Sequence, residues 1–282
     1  MKKIEKNVIC FMFLFGLFIS PIFGQENSNP LAFLEQKCPN LTELYREELG
    51  KYPVHYIFAI DVSGTMVKYQ EDLVPALATF FDALPDGDRV TVIPFGTEAL
   101  DLMDFSGRID PDVRRSLKSN ISTLYNNPNY PKNMKQCTDI GKAMSLISKK
   151  INLTSEYKAN VVMVLTDFRN DDGKEHKPSQ SQLEKMDEDF AAAIQNVYTR
   201  CVALDLATAA DKAKPGYCLP ELKDKVFYSS TSGVEIVALT NPGPVIRQWF
   251  EELKREIMVM KMRAIIDDEN RLAPATLKTE VD

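Results

Sequence analysis

Tyr56-Ile-Phe-Ala-Ile60-Asp61-Val-Ser63-Gly-Thr65 is an unbroken apolar run that ends at a carboxylate and then turns to hydroxyls. Val161-Val-Met-Val-Leu165-Thr166-Asp167 repeats the pattern further along the chain. A continuous apolar run of this length suits a strand buried on both faces, as in a parallel sheet covered by helices. In open α/β sheets, ligands collect beyond the carboxyl ends of such strands, where the strand order reverses. Two strands of this kind that lie side by side would present Asp61 and Asp167 to one crevice.

The segments around these strands alternate in type. Leu73, Leu77, Phe80, Phe81 and Leu84 form a helical stripe closed by Pro85-Asp-Gly-Asp88, and Pro75 sits near the start, where it is tolerated. Arg89 to Phe95 reads as the next strand and Ala99 to Phe105 as another. The short turn at Gly96 between them implies an antiparallel neighbour, because a parallel crossover needs a dozen residues or more. A helix is predicted from Asp110 to about Tyr125, and an Asn/Pro-rich loop over 126–133. A second helix after Thr138 turns Ile140, Met144, Ile147 and Ile151 inward. The polar stretch from Phe168 to Gln182 reads as an exposed loop. Leu183, Met186, Phe190 and Ile194 mark a helix, Val197 to Leu206 a strand, Lys225 to Ser230 a last short strand, and Val245 to Leu253 a closing helix. The alternation predicts a three-layer α/β/α domain with a mostly parallel central sheet and one antiparallel edge strand.

The ends of the chain read differently. Lys2, Lys3 and Lys6 precede an apolar run from Val8 to Ile19, then Ser20-Pro-Ile-Phe-Gly24, which ends on a small residue before a polar switch. This pattern is that of a secretory signal over 1–24. Anchoring by residues 7–23 is the weaker alternative, since the run falls short of the roughly 20 residues that span a bilayer. The expected location is therefore secreted or periplasmic, with no membrane span in the mature chain. Residues 25–52 read as a helical lead-in and 53–257 as the domain. Residues 258–282 alternate like strands and suggest a β tail or the start of a second domain. With the signal removed, Cys38, Cys137, Cys201 and Cys218 remain, enough for two disulfides in three pairings, and the sequence does not choose among them. The 282 residues carry a net charge of -6, which argues against a nucleic-acid partner.

Asp61, Ser63, Thr65, Thr138 and Asp167 are the candidate site. Each could instead be an ordinary turn or helix cap. Taken together they offer two carboxylates and three hydroxyls with neither thiolate nor imidazole. Oxygen donors suit Mg²⁺, Mn²⁺ or Ca²⁺, and a small ligand set favours octahedral Mg²⁺ that retains water. The two histidines, His55 and His176, have no partner at zinc-ligand spacing.

Asp61-Val-Ser63-Gly-Thr65, then Thr138-Asp-Ile-Gly141, then Leu165-Thr-Asp167 resemble the von Willebrand factor A family and its metal-ion-dependent adhesion site. The resemblance covers roughly residues 53–257 and implies a Rossmann-like fold. It implies direct metal bonds from the hydroxyls of Ser63 and Thr65, with Thr138 bound directly or through water. Asp61 and Asp167 would act through water and by holding the hydroxyls, and a protein partner's Glu or Asp would complete the octahedron. No enzyme activity and no small-molecule substrate are implied. The sequence departs from the family pattern in three places: Thr65 replaces a second Ser, Cys137 precedes Thr138, and Phe168 follows Asp167 where Gly is common.

Two other readings stand beside this one. Asp61-Val-Ser-Gly-Thr65 also resembles the first motif of haloacid dehalogenase-like phosphatases, in which a second Asp serves as general acid. Ser63 occupies that place here and is a poor proton donor. A metal-free scaffold is the third reading.

Overall fold

The computed structural model describes residues 52–152, 157, 159–171, 177–195, 198–227, 234–238, 246, 248, 250 and 261. All of them fall in the unit Arg46–Asp282. The expected signal and lead-in over 1–52 lie outside the described residues, apart from Tyr52. So does the tail over 258–282 except for Lys261, which is helical where alternation suggests a strand. No helix of the described residues is long and apolar enough to cross a membrane.

The described strands form one six-stranded sheet: β1 (Val54–Asp61), β2 (Arg89–Phe95), β3 (Ser106–Arg108), β4 (Ala159–Thr166), β5 (Tyr198–Asp205) and β6 (Val234–Ala238). Their order is β3-β2-β1-β4-β5-β6. All pairs are parallel except β2–β3, which is antiparallel. This is the predicted Rossmann-like α/β arrangement. The chain leaves β1 toward β2 and later returns to β4 on β1's other side. The reversal of strand order therefore falls between β1 and β4, whose ends align with Ile60 opposite Leu165.

The all-apolar strands are explained by burial on both faces. Tyr56, Phe58 and Ile60 of β1 join one core cluster, while Ile57 and Ala59 join the other. Helix α1 (Gln70–Ala83) buries Leu73, Leu77, Phe80 and Phe81 in the first. There Phe58 meets Phe80 and Phe81 edge-on, at 5.4 and 5.9 Å between ring centres. Phe250 stacks on Phe58 at 6.3 Å. Helix α2 (Pro111–Ile121) packs beside α1, capped by the Asp110 carboxylate, which accepts from Asp112 N and Val113 N. The opposite face holds α3 (Ile140–Asn152) and α4 (Gln180–Ile194), the latter opened by a Ser179–Gln182 capping box.

At the pole where β1 begins, Asp88 is buried and accepts hydrogen bonds from Val54 N, the Tyr56 hydroxyl and Lys261 Nζ, the last at 2.6 and 2.7 Å. A buried charge pair is tolerated when its remaining lone pairs are satisfied in this way.

Four expectations need correction. The antiparallel edge strand is Ser106–Arg108, not Ala99–Phe105. Pro94 has no N–H to offer on β2's outer side, so β3 pairs only at Arg89–Thr91, and Met103–Phe105 coils into a 3-10 turn. Helix α2 ends at Ile121 rather than Tyr125, because the Ser122 and Thr123 hydroxyls bond back to Ser119 O and Asn120 O and tighten the chain into turns. Of the strand expected over Lys225–Ser230, residues 225–227 are not extended and 228–230 lie outside the described residues. Lys223–Phe227 is a π-helical turn whose Val226 and Phe227 reach the core, and the strand is Val234–Ala238. The stretch after Asp167 is not an exposed loop at its start: Phe168 and Asn170 are buried.

Of the cysteines, Cys137, Cys201 and Cys218 are free thiols, and Cys38 lies outside the described residues. Burial pushes the Cys201 and Cys218 thiols up to about 12, so both are inert.

Candidate functional site

Asp61 closes β1 and Thr166 closes β4, with Asp167 next in line, so the strand reversal brings both carboxylates to one end of the sheet. Both are buried. Asp61 Oδ1 accepts from Ser63 N at 2.8 Å and Oδ2 accepts from the Thr166 hydroxyl at 2.6 Å. The Thr65 hydroxyl donates to Asp167 Oδ2 at 2.8 Å, and Arg169 N donates to Asp167 Oδ1 at 3.1 Å. Ser63 Oγ lies 3.2 Å from Thr65 Oγ1. Thr65 has given its only hydroxyl proton to Asp167, so Ser63 is the donor in that pair. Ser63 and Thr65 thus both orient through hydrogens and keep oxygen lone pairs to spare.

Neither carboxylate has an ion-pair partner among the described residues. Burial, together with the charge of Asp167, raises the Asp61 carboxyl above the ordinary range, against the hydrogen bonds from Thr166 and Ser63. Burial also raises Asp167, against the bonds from Thr65 and Arg169 N and the charge of the Arg169 guanidinium, with a smaller push upward from the charge of Asp211. Two desolvated carboxylates at one strand-end crevice resist full ionisation until a positive charge joins them.

Thr138 reaches this end of the sheet by a different route. Gly64 N donates to Lys135 O, Thr97 N to Met134 O, and Asp139 N to Gly96 O, which seats the 134–139 segment across the ends of β1 and β2. Gly96 is required there, because a Cβ would stand 2.0 Å from Met134 O. Thr138 is buried and pairs through its backbone with Asp171, beyond Asp167. The Thr138 hydroxyl makes no hydrogen bond with Asp61, Ser63, Thr65 or Asp167. The first two motifs are therefore joined to the third by backbone, and four of the five candidates by side chains as well.

Three residues outside the candidate set belong to the same architecture. Thr166 braces Asp61 from the neighbouring strand; its signal in the sequence is its place at the end of an apolar run. Phe168 adopts a left-handed backbone with φ 52, with its ring fully buried. Only glycine adopts this conformation without strain. The Tyr125 hydroxyl is buried with no hydrogen-bond partner, and its pKa is raised by burial first and then by the charge of Asp61. No local pattern in the sequence points to it.

The donor set fits a hard divalent cation: two carboxylates, hydroxyls with free lone pairs, and a stray hydroxyl close enough to feel Asp61. Among the described residues no group of three or more His, Cys, Asp or Glu side chains is placed to hold a metal ion, at this end of the sheet or elsewhere. Ser63, Thr65 and Thr138 are the residues that would hold such an ion, with Asp61 and Asp167 supplying the compensating charge.

No family model matches the chain, and no curated protein matches it. Solved structures do. A von Willebrand factor type A protein from Catenulispora acidiphila is similar at 16% identity with a TM-score of 0.52, over 73% of this chain and 43% of that one. The PilB minor pilin from Streptococcus sanguinis is similar at 13% identity and 0.53, over 74% and 62%. The pilus adhesin SpaC from Lactobacillus rhamnosus GG is similar at 12% identity and 0.53, over 73% and 30%. The matched region spans less than two thirds of each of those chains. At such identities the likeness concerns the path of the backbone, and on that evidence the chain has the Rossmann-like α/β fold of von Willebrand factor A domains.

Proposed function

We propose that this protein binds a divalent cation, Mg²⁺ foremost with Mn²⁺ or Ca²⁺ as substitutes, and through it a carboxylate of a protein partner. The observation that carries this reading is the pair Asp61 and Asp167: buried at adjoining strand ends, without an ion-pair partner among the described residues, and bound to the hydroxyls of Thr166 and Thr65. Buried carboxylates so placed are stabilised by a cation that they help to neutralise. When bound, the ion would supply Lewis acidity toward an incoming carboxylate. Ser63 and Thr65 would offer it neutral oxygens, and Asp61 and Asp167 would hold those oxygens in place. The fold's occurrence in a minor pilin and a pilus adhesin is in keeping with an adhesive role. The basic, then apolar, start of the chain supports export.

Binding is favoured over phosphoryl transfer because Ser63, in the place of a general acid, is committed to Thr65 Oγ1. Mg²⁺ titrated into the protein should raise its melting temperature, since a ligand of the native state alone stabilises it. Asp61→Ala should abolish the response. Equal melting curves for wild type and variant at every Mg²⁺ concentration would refute the metal site. Hydrolysis of p-nitrophenyl phosphate that depends on Asp61 would instead favour the phosphatase.

A further inference from the structure

Asn170 lies in a stretch that local polarity marks as solvent-exposed, yet it is buried, with 6% of its surface accessible. Its Oδ1 accepts from Ile140 N at 3.2 Å, the first residue of α3, and its own N–H donates to Gly216 O at 2.9 Å. The next residue, Asp171, exchanges both backbone hydrogen bonds with Thr138, each 2.8 Å long. The segment that delivers Asp167 to the crevice therefore also grips the segment that delivers Thr138, on both sides of Asp139. We propose that Asn170 is a positioning residue for Thr138. It fixes how far the Thr138 hydroxyl reaches toward Asp61 and Asp167, and so sets the affinity for the cation. The inference rests on the metal-binding reading above.

Two features separate this role from ordinary helix capping. Helix α3 already has a cap of its own, because the Asp139 carboxylate accepts from Lys142 N at 3.0 Å. It is also held by the buried side chains of Ile140, Met144, Ile147 and Ile151. The helix does not need Asn170 to persist. Thr138 has fewer ties, since its side chain bonds to none of the other four candidates. Its position is set by the Asp171 pairing, by the bond from Asp139 N to Gly96 O, and by the anchoring of Ile140 to Asn170. On the far side of Asn170, Cys218 N donates to Phe168 O and Asn170 N to Gly216 O, so the gripping segment is itself fixed. Loss of the Asn170 amide leaves the buried Ile140 N–H without its acceptor and releases one of the three ties on Thr138.

The full chain tests this with Asn170→Ala, Asn170→Asp, Thr138→Ala and the double variant Thr138→Ala/Asn170→Ala, each titrated with Mg²⁺ by calorimetry. A second readout is taken in EDTA, as amide hydrogen exchange at Thr138 and Ile140. Asn170→Ala should weaken Mg²⁺ binding on the order of tenfold, the usual loss when a residue behind a ligand is removed. It should also speed exchange at both amides in the metal-free protein. Asn170→Asp, which keeps the acceptor, should bind at least as tightly as wild type and keep its amide protection. In the Thr138→Ala background, Asn170→Ala should cost nothing more. Should Asn170→Ala fail to fold, Asn170→Ser, polar but too short to reach Ile140 N, carries the same comparison. Wild-type Mg²⁺ affinity in Asn170→Ala, or an equal loss with and without Thr138, overturns the proposal. Absence of Mg²⁺ binding in wild type would instead remove the reading it rests on.

Discussion

The Thr166 hydroxyl donates to Asp61 Oδ2 at 2.6 Å, joining two residues 105 positions apart in the chain. The same oxygen accepts from Phe168 N at 3.2 Å, so one hydroxyl ties the end of β1 to the turn that follows β4. Thr166→Val keeps the shape and removes both bonds. It should destabilise the protein by about 2 kcal/mol, the range for a buried hydrogen bond to a charged group. Thr166→Ser should recover most of that loss. Urea unfolding of both variants in EDTA checks this, and equal stability of Val and wild type would mean that the bond contributes nothing.

Phe168 sets two effects against each other. Substituting glycine relieves a left-handed backbone that costs a non-glycine residue roughly 1–2 kcal/mol. It also empties a buried aromatic site, and truncating a buried Phe costs about 3–5 kcal/mol. The cavity wins. Phe168→Gly should lower stability by about 2 kcal/mol, the difference between those ranges. A more stable glycine variant would show that the ring is poorly packed.

Tyr125 offers the opposite sign. Its hydroxyl is buried without a hydrogen-bond partner, and an orphan of that kind costs stability that its removal returns. Tyr125→Phe should raise the stability of the metal-free protein by about 1 kcal/mol. Chemical denaturation in EDTA measures it, and a loss instead of a gain would reveal a partner for the hydroxyl.

His55 contributes to acid sensitivity through its buried ring. Burial first, then the charges of Arg89 and Lys150, lower its pKa from 6.5 to about 3, and its Nε2 lies 2.9 Å from the Thr91 hydroxyl. Between those two values the unfolded chain takes up a proton that the folded one refuses. Stability from this residue is complete above pH 6.5 and declines as pH falls toward 3, by on the order of a few kcal/mol. Asp61 and Asp167 act the other way. Their raised carboxyls make the metal-free fold more stable as pH drops into the ordinary carboxylate range. In His55→Gln, therefore, the drop in urea midpoint from pH 7 to pH 4 should shrink or reverse. An unchanged drop would place the acid sensitivity elsewhere.

The sheet and the cluster at its end are legible in the sequence for one reason: burial on two faces writes itself as an unbroken apolar run, and each run here ends at an acid. The two runs place Asp61 and Asp167 at strand ends, and the pairing of β1 with β4 brings them to one crevice. What the sequence hides is whatever depends on pairing between distant segments. Pro94 moves the edge strand past the residues whose alternation suggests it, and Val226 and Phe227 give a helical turn the look of a strand. Asn170 is hidden by its polar neighbours, since nothing local reveals that its amide faces a helix 30 residues earlier. Thr138 stands out by its motif, but its place depends on a backbone bridge that no side-chain pattern records.

Gly96 carries a consequence of its own. A single missing carbon at the tip of β2 is what allows Met134 O to come so near, and Thr138 rides on the same strip of chain. That approach is made by the strip's backbone and not by its side chains, as are the bonds from Thr97 N to Met134 O and from Asp139 N to Gly96 O. Even an alanine at 96 would lift the strip away and take Thr138 with it.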